Sequence, residues 1–263
     1  MKFFKSSDLI EILTPKQDAP DFETDLRTFG ERYKKIMDHN GVASITDNPL
    51  GNLHFAAPEV LSYLSLEIDP ELCLIHLNTF HAKKDLDALL TQAKEMGVRY
   101  LLCVSGDGSQ RLARLAPSDL GVNVETVTSV ELLAYIEKAY GGHFICGAAF
   151  NHYEPVEHEM LKMKRKIAAG AKFIITQPVI GRNELVLSLS QFGVPVFAEA
   201  WMTKRIDLLQ QCLGSEVTGL PVVYDPLANL QVLRESYPDY GIYYSLLGFK
   251  RDWNGIIIKR EAQ

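Results

Sequence analysis

The sequence predicts a (β/α)8 TIM barrel, on three observations. Short apolar segments typical of buried strands alternate with longer amphipathic segments along most of the chain, and eight strands can be placed. The length of 263 residues fits the roughly 250 residues of one such barrel. The glycine fingerprint of a dinucleotide-binding first turn is absent, since the first strand ends in TPKQD. A doubly wound open sheet is the alternative; we favour a single barrel domain over residues 1–263.

The first four strands are predicted from apolar segments that end at turn residues. The segment DLIEILT at 8–14 stops before a proline, and a helix is expected at 21–40 from apolar residues at helical spacing. The remaining elements of this half are strands at 42–46, 72–77 and 99–104 and helices at 58–65 and 83–96. The fourth strand runs into SGDG, whose glycines allow the backbone to approach a ligand closely.

The second half continues the alternation and then becomes less regular. A long connection at 109–128 leads into helices at 129–140, 160–169 and 184–192 and strands at 143–150, 172–176 and 194–198. Beyond them we expect helices at 202–213 and 226–236 and the eighth strand at 241–247. The apolar run at 255–259 is either an added strand or a tail docked on the barrel.

Composition excludes several classes of partner. The net charge of −6 argues against nucleic-acid and anionic-membrane binding, which need a basic face. No apolar run approaches the roughly 18 residues of a membrane span, and the N-terminus lacks the apolar core of a signal peptide. The four cysteines show no CxxC spacing, and His152 and His158 lack metal-ligand spacing, so no metal site is predicted. A cytoplasmic protein with reduced thiols is expected.

Polar residues stand at the ends of the predicted strands, where barrels bind ligands. Glu11 lies inside an apolar strand, and burying a carboxylate without a partner is costly. With the amide of Gln177 and the acceptor Asp107, it could recognise a flat, hydrogen-bonding heterocycle and donate a proton. The structural alternatives are an ion pair for Glu11, a turn residue for Asp107 and a core histidine for His76. Further strand-end residues are Thr46, Asp47, Asn48, Asn78, Asn151, His152 and Glu199.

Six segments resemble the methylenetetrahydrofolate reductase family. The strongest is LKMKRKIAAGAKFIITQ at 161–177, and the others, in the family's order, are IEILTPK at 10–16, ITDNPLG at 45–51, IHL at 75–77, GVRYLLCVSGD at 97–107 and GIYYSLLGF at 241–249. The resemblance implies FAD-dependent reduction of 5,10-methylenetetrahydrofolate to 5-methyltetrahydrofolate. Electrons would come from NAD(P)H or from a reduced partner protein.

The resemblance also implies roles for individual residues. Glu11 is the acid that helps open the five-membered ring of the folate, while Asp107 and Gln177 hydrogen-bond the pterin. Asp107 also lies near the flavin, and the lysine of the 161–177 segment lies near its pyrophosphate. The positions expected to contact the cofactor are Thr46, His76, Asp107, Phe150 (where the family usually has a tyrosine) and Lys166.

Three features depart from the family's pattern. Residues 78–81 replace a Cys-Arg-Asp, Ser105 replaces an arginine, and the loop after the fifth strand is shortened. Because the resemblance places these features at the flavin and its phosphates, a second interpretation stays open. It is a folate- or pterin-binding barrel without redox activity, such as a methyl-transfer enzyme or an accessory subunit of a methyl-transfer complex. A redox or methyl-transfer partner protein and a homo-oligomeric state also stay open.

Overall fold

The structure, a computed structural model, describes residues 8–213, 220–245 and 256 and contains a closed barrel of eight parallel strands. Each strand pairs with the next along the chain, and the last pairs with the first. The strands are β1 (Asp8–Ile12), β2 (Val42–Ile45), β3 (Cys73–Leu77), β4 (Tyr100–Cys103), β5 (Ile145–Phe150), β6 (Phe173–Pro178), β7 (Val196–Trp201) and β8 (Gly241–Ser245). The predicted (β/α)8 barrel is confirmed.

Helices connect the strands around the outside of the barrel. They are α1 (Phe22–Asp38), α2 (Ala57–Tyr63), α3 (Lys83–Glu95), α4 (Pro117–Leu120), α5 (Ser129–Tyr140), α6 (Val156–Ala168), α7 (Glu184–Leu187), α8 (Ile206–Leu213) and α9 (Pro226–Ser236). Two 3₁₀ segments, Pro49–Gly51 and Ser188–Phe192, complete the described elements. None of the helices in the described ranges is long and apolar enough to cross a membrane.

Several element boundaries differ from those expected. The helix expected at 160–169 begins four residues earlier, at Val156, directly after Pro155. The seventh strand continues past residue 198, because Glu199 and Trp201 remain paired with β8. The connection at 109–128 contains the short helix α4, which is too brief to give a periodic signal. Residues 246–247 of the expected eighth strand lie outside the described residues, as does the run at 255–259 except Ile256.

Alternate residues of each strand point into the barrel or toward the helices. The interior cluster fills the amino-terminal half of the barrel, and a larger cluster fills the layer between barrel and helices. Two inward glycines make room for aromatic rings: a Cβ on Gly147 would lie 2.1 Å from the Phe173 ring, and one on Gly241 would lie 2.3 Å from the Phe197 ring. Space for a ligand is therefore left at the carboxyl ends of the strands.

Candidate functional site

A cavity of about 300 Å³ opens at the carboxyl ends of the strands, and we call it the barrel cavity. Its wall combines apolar side chains such as Leu102, Val104 and Ile175 with polar groups delivered by several strands. Five of the residues expected at a site line it: Glu11, Thr46, His76, Asp107 and Gln177. The structure thus brings together side chains that are far apart in the sequence.

A second cavity of about 280 Å³ adjoins the first beside α6, and we call it the lysine cavity. It is lined by Lys166, Lys162 and Glu159 from α6, together with Asn151 after β5. The two cavities share the lining residues Val104, Gly106, Asp107, Ala149 and Gln177. They therefore form one two-part site with Asp107 and Gln177 at the junction.

Two carboxyl groups, Glu11 and Glu199, face the barrel cavity on either side of β8. Glu199 pairs in register with Tyr243, whose phenol Oη donates a hydrogen bond of 2.7 Å to Glu11 Oε2. Burial raises the pKa of Glu199 well above its usual range, and the neighbouring charge of Glu11 raises it further. The sequence marks Glu199 as a polar strand-end residue but gives no sign of this pairing.

A chain of polar groups continues from the carboxyl pair across the barrel. Ser44 on β2 is fully buried, and its Oγ lies 2.8 Å from His76 Nε2. Ser44 also interacts with the Tyr243 phenol. Burial lowers the pKa of His76 to about 4, so its ring is neutral at neutral pH. His76 is thus a hydrogen-bonding group of the cavity wall rather than a cation.

The loop that carries Asp107 is held by close backbone packing. Gly106 has a φ of +79°, and a Cβ there would lie 2.5 Å from Asn78 Cβ. A Cβ on Gly108 would lie 2.8 Å from the Phe80 ring. The positive φ and the close Asn78 Cβ favour glycine at Gly106, and this packing holds the SGDG loop with Asp107 at the junction of the two cavities.

Residues 78–81, which depart from the family's pattern, are tied to Asp47. Its Oδ2 accepts hydrogen bonds from the Asn78 backbone N at 2.9 Å and from His81 Nε2 at 2.7 Å. Burial lowers the pKa of His81, but the hydrogen bond and charge of Asp47 outweigh burial and raise it overall. This segment therefore supplies hydrogen-bond donors to the Asp47 carboxylate. Through Asn78 it also packs against Gly106 in the loop that carries Asp107.

Lys166 is a buried cation at the edge of the lysine cavity. Its side chain is 5% exposed, and its Nζ donates a 2.6 Å hydrogen bond to the Ala149 carbonyl. Burial lowers its pKa to about 8. The nearby Glu159 forms its ion pair with Lys162 instead. Because Lys166 bonds a carbonyl rather than a carboxylate, its charge remains available to an anionic ligand.

The remaining site predictions have different outcomes. Phe150 is fully buried in the layer beneath the helices and lines neither cavity, because Ala149 takes the inward position on β5. Thr46 is 7% exposed, and its Oγ1 has no hydrogen-bond partner among the described residues. The described ranges contain no group of three or more His, Cys, Asp or Glu that could hold a metal ion.

Sequence comparisons identify related proteins. The family model described as methylenetetrahydrofolate reductase matches residues 10–190. A Caenorhabditis elegans protein described as a probable methylenetetrahydrofolate reductase (NADPH) is 26% identical over 126 residues. That match covers 46% of this chain and only 17% of the length of the nematode protein.

Structural comparisons identify other barrels. An uncharacterised protein from Clostridium thermocellum that binds two copies of 5-methyl-5,6,7,8-tetrahydrofolic acid matches with a TM-score of 0.57 at 14% identity, covering 92% of this chain and 89% of that one. A 7,8-dihydropteroate synthase from Vibrio fischeri matches with a TM-score of 0.50 at 12% identity, covering 92% and 87%. At these identities the likeness concerns the barrel fold.

Proposed function

The chain belongs to the methylenetetrahydrofolate reductase family, and from that premise we propose that it reduces 5,10-methylenetetrahydrofolate to 5-methyltetrahydrofolate with a bound flavin. The observation that carries the proposal is that Asp107 and Gln177 line both cavities. A folate in the barrel cavity and a flavin reaching it from the lysine cavity would meet at these two side chains. The folate ligand of the Clostridium thermocellum barrel is consistent with this assignment.

The barrel cavity suits the pterin end of a folate. The Gln177 amide can both donate and accept hydrogen bonds, and the Asp107 carboxylate accepts them from N–H groups. Leu102 and Ile175 offer apolar surface against which a flat ring can pack. A concave, largely apolar pocket with a few convergent polar groups is typical of small-molecule sites.

The residues present also suit FAD. Lys166 would hold the pyrophosphate, since its buried ammonium donates a 2.6 Å hydrogen bond to the Ala149 carbonyl and forms no ion pair with a carboxylate among the described residues. The Thr46 hydroxyl, which has no hydrogen-bond partner among the described residues, would bond the ring system together with His76 and Asp107. When bound, the flavin supplies the hydride-transfer chemistry. The protein's part is to orient the folate and to supply a proton from the Glu11 and Glu199 pair.

The electron donor, by this proposal, is NAD(P)H or a reduced partner protein, and the reaction takes place in the cytoplasm. A second candidate function is a folate- or pterin-binding barrel without redox activity, acting in methyl transfer. Two observations favour it: Ser105 stands where the family has an arginine, and the 78–81 segment is occupied with Asp47. The first change removes an arginine that could bind the flavin phosphates. The second leaves the polar groups of 78–81 bonded to Asp47, so that they are less able to bind the flavin.

A flavin titration separates the two functions. We expect the purified protein to bind FAD with a change in the flavin absorbance spectrum, and reduced flavin in the complex to be reoxidised by 5,10-methylenetetrahydrofolate. Binding of folate without binding of FAD or FMN would instead support the methyl-transfer function. Failure to bind either ligand would refute both.

Lys166→Ala tests the phosphate role of the lysine cavity. A hydrogen bond to a charged group is worth about 1.5–3 kcal/mol, so we expect FAD to bind roughly 10- to 150-fold more weakly. Lys164→Ala is the matched control, since Lys164 lies exposed on the same helix and should leave binding unchanged. Equal FAD affinity in both variants would remove Lys166 from the cofactor site.

A further inference from the structure

We propose that Leu50, in the loop after β2, packs against the pteridine ring of the folate at the mouth of the barrel cavity. The loop holds this leucine in a left-handed backbone conformation that places its side chain there. The inference rests on the proposed function for the identity of the ligand, and it adds an apolar contact to the polar groups of the same site. The backbone, the anchoring and the exposure of Leu50 support it.

The backbone of Leu50 is strained. Its φ of 55° and ψ of 29° lie in the left-handed region, where the Cβ of an ordinary residue crowds the following carbonyl. Asn48 in the same loop has a φ of 46°, but asparagine tolerates this region better than leucine does. Strained residues of this kind cluster at ligand-binding sites. The conformation of Leu50 therefore indicates a role for its side chain.

The neighbours of Leu50 hold the loop in this conformation. The Asn48 side chain is buried, and its Oδ1 accepts a 2.9 Å hydrogen bond from the His54 backbone N. On the other side of Leu50, the Asn52 backbone N donates to the Pro49 carbonyl at 3.2 Å. The ring of Pro49 also fixes its own φ. The loop is therefore fastened on both sides of Leu50, which is the condition under which a strained residue persists.

Leu50 lies beside the loop that carries Asp107. Gly51 has a φ of +68°, and a Cβ there would lie 3.0 Å from the Gly108 carbonyl oxygen and 3.4 Å from that of Asp107. The two loops therefore pack closely through their backbones. Leu50 and Asp107 both line the barrel cavity. A ring that is hydrogen-bonded by Asp107 would therefore lie close enough to contact the leucine.

The exposed surface of Leu50 suits the face of a flat ring. Leu50 is 52% exposed, and of the large apolar residues that lie exposed in the described ranges, it alone lines the barrel cavity. Single exposed leucines are common, so exposure by itself would carry little weight. Here it coincides with an enforced left-handed backbone at the rim of a cavity. A leucine offers apolar area and dispersion but no hydrogen bond, which favours a ring face over a charged group.

Thermal melts of two variants test the strain. At a helical position alanine is more stable than glycine, whereas in the left-handed region glycine is the more stable. Leu50→Gly should therefore melt roughly 2–4 °C higher than Leu50→Ala. Leu161, which is 61% exposed in the middle of α6 and lines neither cavity, is the matched control. There the alanine variant should melt higher than the glycine variant. Alanine more stable than glycine at both positions would overturn the proposal.

Titration with 5-methyltetrahydrofolate tests the contact. Leu50→Ala and Leu50→Gly should both bind it about 3- to 10-fold more weakly, because the ligand no longer covers the exposed half of the leucine. Leu50→Met, which keeps a long apolar side chain, should bind like wild type, and so should Leu161→Ala. Wild-type folate affinity in Leu50→Ala, or a loss that affects only FAD, would overturn the proposal.

A titration with pterin, the ring system without its side chain, separates this proposal from the proposed function. If wild-type protein binds no folate, the proposed function fails, and the pterin titration alone decides the contact. Weaker binding of pterin to Leu50→Ala than to wild type would then support the contact. Equal binding to both, or no binding to wild type, would overturn it.

Discussion

Gly106→Ala should both destabilise the protein and disturb the junction of the two cavities. At a φ of +79°, an alanine adopts a left-handed conformation at a cost of roughly 1–2 kcal/mol. The new Cβ would also lie 2.5 Å from Asn78 Cβ, whereas carbon atoms in contact prefer about 3.5–4.0 Å. Relieving this overlap costs about 1–3 kcal/mol. We therefore expect a total loss of about 2–5 kcal/mol in the free energy of unfolding.

Gly121→Ala is the matched control for the cost of placing an alanine in the left-handed backbone conformation. Gly121 has a φ of +65°, and a Cβ there meets no atom within 4 Å, so only the left-handed cost applies. Urea denaturation should place the two variants about 1–3 kcal/mol apart. Asn78→Gly, which removes the opposing Cβ, should recover part of the difference in the double variant.

Because the loop must shift to relieve the overlap, Gly106→Ala should also weaken binding at Asp107, measured by folate titration. Equal stability of the two variants, or unchanged folate affinity in Gly106→Ala, would refute the packing argument.

Two further predictions concern buried polar groups. The pKa of His81 is raised in the folded protein, so its ion pair with Asp47 stabilises fully below about pH 6.5 and less as pH rises through the raised value. The loss of unfolding free energy in His81→Gln should therefore shrink from about pH 6 to pH 9, and a loss that stays constant over this range would contradict this. Thr46→Val should stabilise the ligand-free protein by up to about 1–2 kcal/mol while weakening ligand binding, because it removes a buried hydroxyl that no described residue hydrogen-bonds. Thr14→Val should instead destabilise it by about 1 kcal/mol, because the Thr14 hydroxyl donates to the Phe55 carbonyl, and thermal melts that give both changes the same sign would contradict the reasoning.

The sequence predicts the barrel because strand-like and helix-like periodicities alternate along the chain. It also predicts most of the residues that line the candidate site, because barrels bind ligands at strand ends. Six of the seven residues assigned to the site line one of the two cavities. Phe150 is the exception. The strand ICGAAF is buried on both faces, so its sequence has no polar alternation to show which residues point inward.

The contacts between distant strands could not be predicted in the same way. Tyr243 and Glu11 meet only because β8 closes against β1, and the register of that pairing is not visible in either strand alone. The sequence predicts that the seventh strand ends before Glu199, but β7 continues through Trp201. A polar residue in an apolar segment suggests a boundary, but here the strand continues because the Glu199 side chain lines the cavity instead of entering the apolar core.

Because β8 closes the barrel against β1, the hydrogen bond to Glu11 can form only after β8 has been synthesised. The Tyr243 and Glu11 side chains that bond across the closing seam are 232 positions apart, nearly the full length of the polypeptide. During synthesis Glu11 is made early, and its phenol partner Tyr243 is made only when β8 is reached. A chain that ends before β8 therefore lacks the hydroxyl that donates to Glu11 in the closed barrel.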